Sequence, residues 1–314
     1  MTDTQVVQLL QKRFGAAKRA NGNWVRVRCP TCAPSDGHKM KRGVNLKSLA
    51  SNCFICKVPL SNEQIFGNVP IAVTNLGPYK EPPEHPMARK WPCNFYVPVS
   101  ALPSDHPAVK FLQKDHLTDM TKLAMDYDVG YILAADAIPI EFERADGQRY
   151  SMSVADSLIF PVFFNEELVG WQCRFIPGTP NGDRMKKMKY LHVFPKGNYL
   201  YNYDNAKKYQ SVVVVEGVKK SWKFPNGVAT WGKGISDTQI QLIQRNWEEI
   251  ILMYDAGEDT QKKARELADI IKRGKKCVNI DPGAYGFDSP DEMTEEQAQE
   301  IIIDAWIKAG YSLE

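Results

Sequence analysis

The sequence is short of three things, and each shortage narrows what the protein can be. No apolar run approaches the roughly 18–20 residues of a membrane span, which argues against a spanning helix. The opening residues, MTDTQVVQLLQKRFGAAKRA, lack the basic-then-apolar layout of a secretion signal, so the expectation is a cytoplasmic protein without membrane partners. Val6, Leu9, Leu10 and Phe14 fall instead on one side of a short amphipathic helix. Acidic residues are scarce in residues 1–60, which hold eleven Lys and Arg against two Asp and no Glu. The whole chain carries a net charge of only +3, and its last stretch is acidic. A basic N-terminal module beside a near-neutral body suggests a polyanion as partner.

The seven cysteines do not resemble a disulfide framework. Cys93, Cys173 and Cys277 are scattered in apolar surroundings and read as packing residues. Cys29-Pro-Thr-Cys32 and Cys53-Phe-Ile-Cys56 are two Cys-x-x-Cys turns about twenty residues apart. Each turn places two thiolates on one ion, and four thiolates close a tetrahedral zinc site. With no open position for water, that single zinc is structural. The strand WVRVRCPTC carries Trp24, Arg26 and Arg28 with like parity on one face, and His38, Lys39, Lys41 and Arg42 fall between the cysteine pairs. Trp24, Arg26, His38, Lys39 and Arg42 are the candidate nucleic-acid contacts of this module.

Three regions follow one another. Residues 1–67 form the cysteine module with its N-terminal helix, and 68–88, rich in Pro and polar residues, read as a semi-stiff linker. Residues 89–208 mix short helices and strands, and SLIFPVFFNEELVGWQCRFI reads as a hairpin turning at Asn165–Glu167. Residues 209–314 alternate VVVVEG, KKSWKF, GVATWG, SDTQIQLIQRNW, EEIILMYD, DTQKKARELADIIKRG and KCVNIDP, which calls for a parallel sheet with helices on its faces. A capped helix ended by Gly310 closes the chain.

In open parallel sheets, ligands bind beyond the carboxyl ends of the strands. Glu216 and Asp255 end two of these strands, and oxygen ligands converging there suit Mg²⁺. Gly227, Gly232 and Lys233 match the start of a triphosphate-binding loop. Gly234 follows where Ser or Thr is needed, so that loop is rejected. Lys233 remains a candidate phosphate contact.

The order of these parts resembles the DnaG-type primases, with the nearest likeness to the primase half of bacteriophage primase–helicases. The resemblance runs through the cysteine pairs, LIFPVFFNEELVGWQCRFI, KYLHVFPKGNYLYN, VVVVEG, GVATWGKG and IILMYDAGEDTQKKA. It implies a multi-domain α/β chain: an N-terminal β-type zinc ribbon, a mixed α+β basic subdomain, and a Toprim-type parallel α/β sheet. It also implies short RNA primers made from ribonucleoside triphosphates on a single-stranded DNA template, start-site reading by the ribbon, and work beside a separate replicative helicase. For a phage-encoded chain, the bacterial host cytoplasm is the setting. Mg²⁺ or Mn²⁺ would be held by Glu216, Asp255, Glu258, Asp259 and Asp288, and Arg174 and Lys189 match phosphate-binding positions.

Two departures stand out. The family has an acid four residues after the glutamate, where this chain has Lys220, and an Asp-x-Asp where this chain has Asp255-Ala-Gly257. Glu258 and Asp259 follow closely, and Asp288-Ser-Pro-Asp291 approximates a later acidic pair. Lys219 or Lys220 would then supply a fixed positive charge in place of part of one ion's role. The catalytic set is therefore Glu216, Asp255 and Lys220. The alternatives are an inactive protein of this fold that binds single-stranded DNA or a helicase, and a nuclease.

Overall fold

The computed structural model describes residues 3–20, 24–32, 40–46, 51–53, 55–56, 60, 64–65, 90–143, 146–232, 234–272 and 274–311. The 68–88 stretch expected as a linker, with His38, Lys39 and Lys233, lies outside them. The chain divides into two compact units, the first made of residues 1–80 with 269–275 and the second of residues 81–268 with 276–314. Among the described residues no helix is long and apolar enough to cross a membrane.

In the first unit, strands β1 (Ala17–Arg19), β2 (Trp24–Val27), β3 (Arg42–Asn45) and β4 (Ser51–Cys53) form an antiparallel sheet in that order. Strand β2 alternates strictly, with Trp24 and Arg26 exposed and Val25 and Val27 buried. The buried face packs Val25, Val27, Val44 and Leu46 against Val6 and Leu10 of the helix Asp3–Phe14. Burying each such aliphatic side chain contributes about 1.5–3 kcal/mol.

Among the described residues, the second unit holds three sheets. Strands β5 (Val97–Pro98), β6 (Gly130–Ile132), β9 (Ser157–Phe164), β10 (Glu167–Phe175) and β11 (Tyr190–His192) form an antiparallel sheet in the order β11-β10-β9-β6-β5. Strands β7 (Ile140–Glu143) and β8 (Arg149–Met152) form a separate hairpin. The β9–β10 hairpin turns at Asn165 and Glu166, both with positive φ, as a two-residue turn of matching twist requires. Asp204 fixes that turn by accepting both of their N–H groups, at 2.9 and 2.8 Å. Pro161 is tolerated inside β9 because β6 pairs only with Ser157–Ile159, so a donor at Pro161 is not needed on that side. Cys93 and Cys173 lie in the core with Trp171 and Phe175, as expected of packing cysteines.

The last sheet is wholly parallel: β12 (Ser211–Val215), β13 (Gly227–Ala229), β14 (Glu249–Met253) and β15 (Lys276–Ile280), in the order β13-β12-β14-β15. The four valines of β12 are buried on both faces, the pattern of a central parallel strand. Crossover helices Asp237–Asn246 and Glu258–Ile271 connect the strands, and Glu295–Lys308 closes the chain. Capping boxes at Ser236 and Thr294 start the first and the last of these helices, and Gly310 follows the last with φ +79°.

Candidate metal site and strand-end centre

In the first unit, the four predicted zinc ligands come together. The Sγ atoms of Cys29, Cys32, Cys53 and Cys56 all lie within 4.8 Å of one another. The Cys29–Cys56 and Cys32–Cys53 separations are 3.8 and 3.5 Å. Zinc–sulfur bonds of about 2.3 Å give a tetrahedron with edges of about 3.8 Å, so the set fits one closed, structural zinc.

Arg42 departs from the expectation that it contacts nucleic acid. It is fully buried, and its guanidinium donates to Cys29 Sγ at 3.4 Å and to Ser51 Oγ at 2.9 Å. Burial works against charge on Cys29. The Arg42 donor and backbone N–H groups outweigh it and pull the thiol down to about 5, the thiolate form a metal requires. Arg42 is thus a partner of the metal site rather than of a ligand outside. Trp24 and Arg26 do face solvent, with Lys18 directly across from Arg26 on β1.

In the second unit, parallel register places Glu216 and Asp255 just beyond the ends of the neighbouring strands β12 and β14. Glu216 is 5% exposed, and its carbonyl accepts the Gly232 N–H at 2.8 Å. Tyr254 beside it is pushed up to about 12 by burial, with the Glu216 charge adding to the effect and the Thr230 hydroxyl opposing it. The short helix Val218–Ser221 then carries Lys219 and Lys220, and Lys223 follows just past its end. Lys220 donates to the Asp255 carboxylate, and Lys219 donates to Asp115. Lys223, fully buried, donates to the carbonyls of Asp115 and Met293 at 2.7 and 2.5 Å. Burial lowers the Lys223 pKa, and the charges of Asp291 and Asp115 offset part of that shift. Burial likewise raises Asp291, against the pull of Lys219 and Lys220.

The five expected Mg²⁺ ligands do not assemble into one cage. Glu258 and Asp259 are exposed in the first turn of their helix, and Asp288 is exposed. Asp288 contributes its backbone, since its carbonyl accepts the Ala256 N–H at 2.8 Å and so holds the loop after Asp255. Among the described residues, the four cysteines are the only cluster of three or more potential metal ligands. A polycarboxylate metal centre therefore does not fit this arrangement. Of the two strand-end acids, Asp255 is paired with Lys220.

Beside this network lies a cationic and aromatic ledge. The Arg174 guanidinium is 4.9 Å from the Phe111 ring centroid and 4.7 Å from that of Tyr190, and it donates to the Lys189 carbonyl at 3.4 Å. Lys219 Nζ is 4.6 Å from the same Phe111 ring, which links the ledge to the strand ends. The Lys189 side chain is exposed. Sequence reasoning missed Asp115, Phe111, Tyr190 and Lys223. Asp115 is 104 residues from Lys219, and no local pattern marks such a pairing.

The chain thus combines a four-cysteine antiparallel ribbon, a mixed subdomain, and a parallel sheet with carboxylates beyond its strand ends. No family model matches the chain. It is 27% identical over 200 residues to the DNA primase of Halalkalibacterium halodurans, an alignment covering 59% of this chain and 32% of that one. The chain thus spans about a third of the length of that curated relative. In structure it resembles the zinc-binding and RNA polymerase domains of the Aquifex aeolicus primase, with a TM-score of 0.51, 15% identity, and coverage of 97% of this chain and 86% of that one. It also resembles a DnaG primase catalytic domain bound to single-stranded DNA, with a TM-score of 0.51, 17% identity, and coverage of 68% and 75%.

Proposed function

We propose that the chain is a primase, which synthesises short RNA primers on single-stranded DNA from ribonucleoside triphosphates, in the cytoplasm and beside a separate replicative helicase. The observation that carries this reading is the placement of Glu216 and Asp255 beyond adjacent strands of a parallel sheet, in a fold shared with DNA primases. The Arg174 ledge supplies what the polyanionic ligands need: a planar cation held by two rings, with its N–H groups for a phosphate.

In the reaction, a ribose 3′-hydroxyl attacks the α-phosphorus of the incoming nucleotide. A new P–O bond forms, pyrophosphate leaves, and the hydroxyl proton passes to solvent. Such transfer depends on in-line placement and on positive charge around the phosphates more than on covalent chemistry. The lysines at the strand ends and Arg174 provide charge of that sign. Mg²⁺ or Mn²⁺ enters with the triphosphate as its bound counter-ion, a part of the substrate.

The test is incorporation of labelled ribonucleotides on single-stranded DNA of mixed sequence, with and without the replicative helicase. Short labelled RNA resistant to deoxyribonuclease is expected. Tight DNA binding with no RNA under either condition would overturn the reading.

A further inference from the structure

We propose that the ammonium of Lys220 permanently occupies the charge-neutralising role of a divalent cation at the strand-end carboxylates, so that the free chain has no high-affinity divalent site there. The inference rests on the reading of Glu216 and Asp255 as the catalytic centre. It goes further by assigning the counter-charge of that centre to a side chain.

Three observations carry it. First, Lys220 is built in rather than dangling. Its side chain is 11% exposed and folds back along the strand-end turn, and its Cδ and Cε lie 3.9 Å from where a Cβ on Gly217 would be. From that position its ammonium donates to Asp255 Oδ1. Second, the position that would complete a carboxylate pair with Asp255 is Gly257, at φ +122° and without a side chain, while Glu258 and Asp259 stand exposed in the next helix. Third, Lys220 is not alone. Asp291 feels the charges of Lys219, Lys220 and Lys223 together, and Asp115 accepts from Lys219.

A dication approaching Asp255 would meet the like charge of Lys220 at comparable range, and its repulsion opposes the carboxylate's attraction. A lysine differs from an ion in one functional respect: it cannot leave with the product. A nucleotide arriving with its own counter-ion would find one positive charge already fixed in place. The price is that the charge is single and its geometry is set by one side chain.

The test is Mn²⁺ binding to the full zinc-loaded chain, read by electron paramagnetic resonance of free Mn²⁺ and therefore without catalysis. Wild type is compared with Lys220→Asp, which restores an acid, and with Lys220→Met, which keeps the stem over Gly217 and removes the charge. Both variants are expected to bind Mn²⁺ at least about tenfold more tightly than wild type. The Lys220→Asp site should be saturable and lost on adding Glu216→Gln. Should Lys220→Asp fail to fold, Lys220→Met decides alone. Wild-type affinity equal to that of Lys220→Met overturns the inference, as does a tight wild-type site abolished by Glu216→Gln. A chain that makes no primer but gains Mn²⁺ affinity in these variants keeps this inference and loses the proposed function.

Discussion

The guanidinium of Arg174 lies between the rings of Phe111 and Tyr190, 4.9 and 4.7 Å from their centroids. Phe111 comes from the helix Pro107–Gln113, Arg174 from β10 and Tyr190 from β11. A planar cation held by two rings, the three groups coming from three elements, is pre-organised for a phosphate.

Arg174→Ala should therefore weaken single-stranded DNA binding and lower the slope of log affinity against log salt by about one. Arg174→Lys should restore the slope but not the full affinity, because an ammonium does not stack as a guanidinium does. Fluorescence anisotropy across a salt series reads both quantities. Wild-type affinity in Arg174→Ala would remove the ledge from the binding surface.

Arg42 makes a second prediction, one about metal. Replacing it by Met removes the donor to Cys29 Sγ while keeping a buried stem. Zinc affinity should fall about 10–100-fold, as for other partners of metal ligands. Zinc retained per chain after dialysis against a competing chelator measures this. Cys53→Ser should release the zinc outright and unfold the first unit, whose Cys53 lies in β4. A folded, zinc-loaded Arg42→Met indistinguishable from wild type would refute the supporting role.

His106 gives a pH dependence. Its Nδ1 accepts the Ala108 N–H at 3.1 Å as the helix cap, and its ring meets Tyr131 edge-on at 4.6 Å. Burial lowers its pKa, against the pull of Asp105 and Asp156. With the folded value below the unfolded one, the unfolded chain binds the proton first. The contribution of His106 is present above the unfolded value of about 6.5 and is lost as pH falls towards the folded one. Thermal midpoints should drop over that window, and the drop should shrink in His106→Asn, which keeps a cap acceptor without titrating. An unchanged pH profile in His106→Asn would assign the effect elsewhere.

Local chemistry made much of this legible in advance. The cysteine spacing gave the metal set, four consecutive valines gave a strand buried on both faces, and the polar stretch Asn165–Glu167 gave the hairpin turn, which the structure narrows to Asn165 and Glu166. What stayed hidden is non-local. Arg42 sits in a basic run that resembles a surface, yet the sheet turns it inward onto Cys29, where a thiolate offsets its charge. The partners of Lys219 and Lys223 come from Asp115 and Met293, which only tertiary folding brings near. Lys220 was visible as a departure from an acidic pattern, but helix phase alone did not reveal that it closes on Asp255.

The central claim is that Glu216 and Asp255 are the reacting centre of a primer-synthesising enzyme. The most direct measurement is the rate of first-dinucleotide formation on single-stranded DNA for wild type, Glu216→Gln and Asp255→Asn, with DNA affinity measured alongside. The account predicts that each variant loses at least about a hundredfold in rate, the scale for removing a charged group from such a site, and keeps its DNA affinity. Wild-type rates in both variants would contradict it.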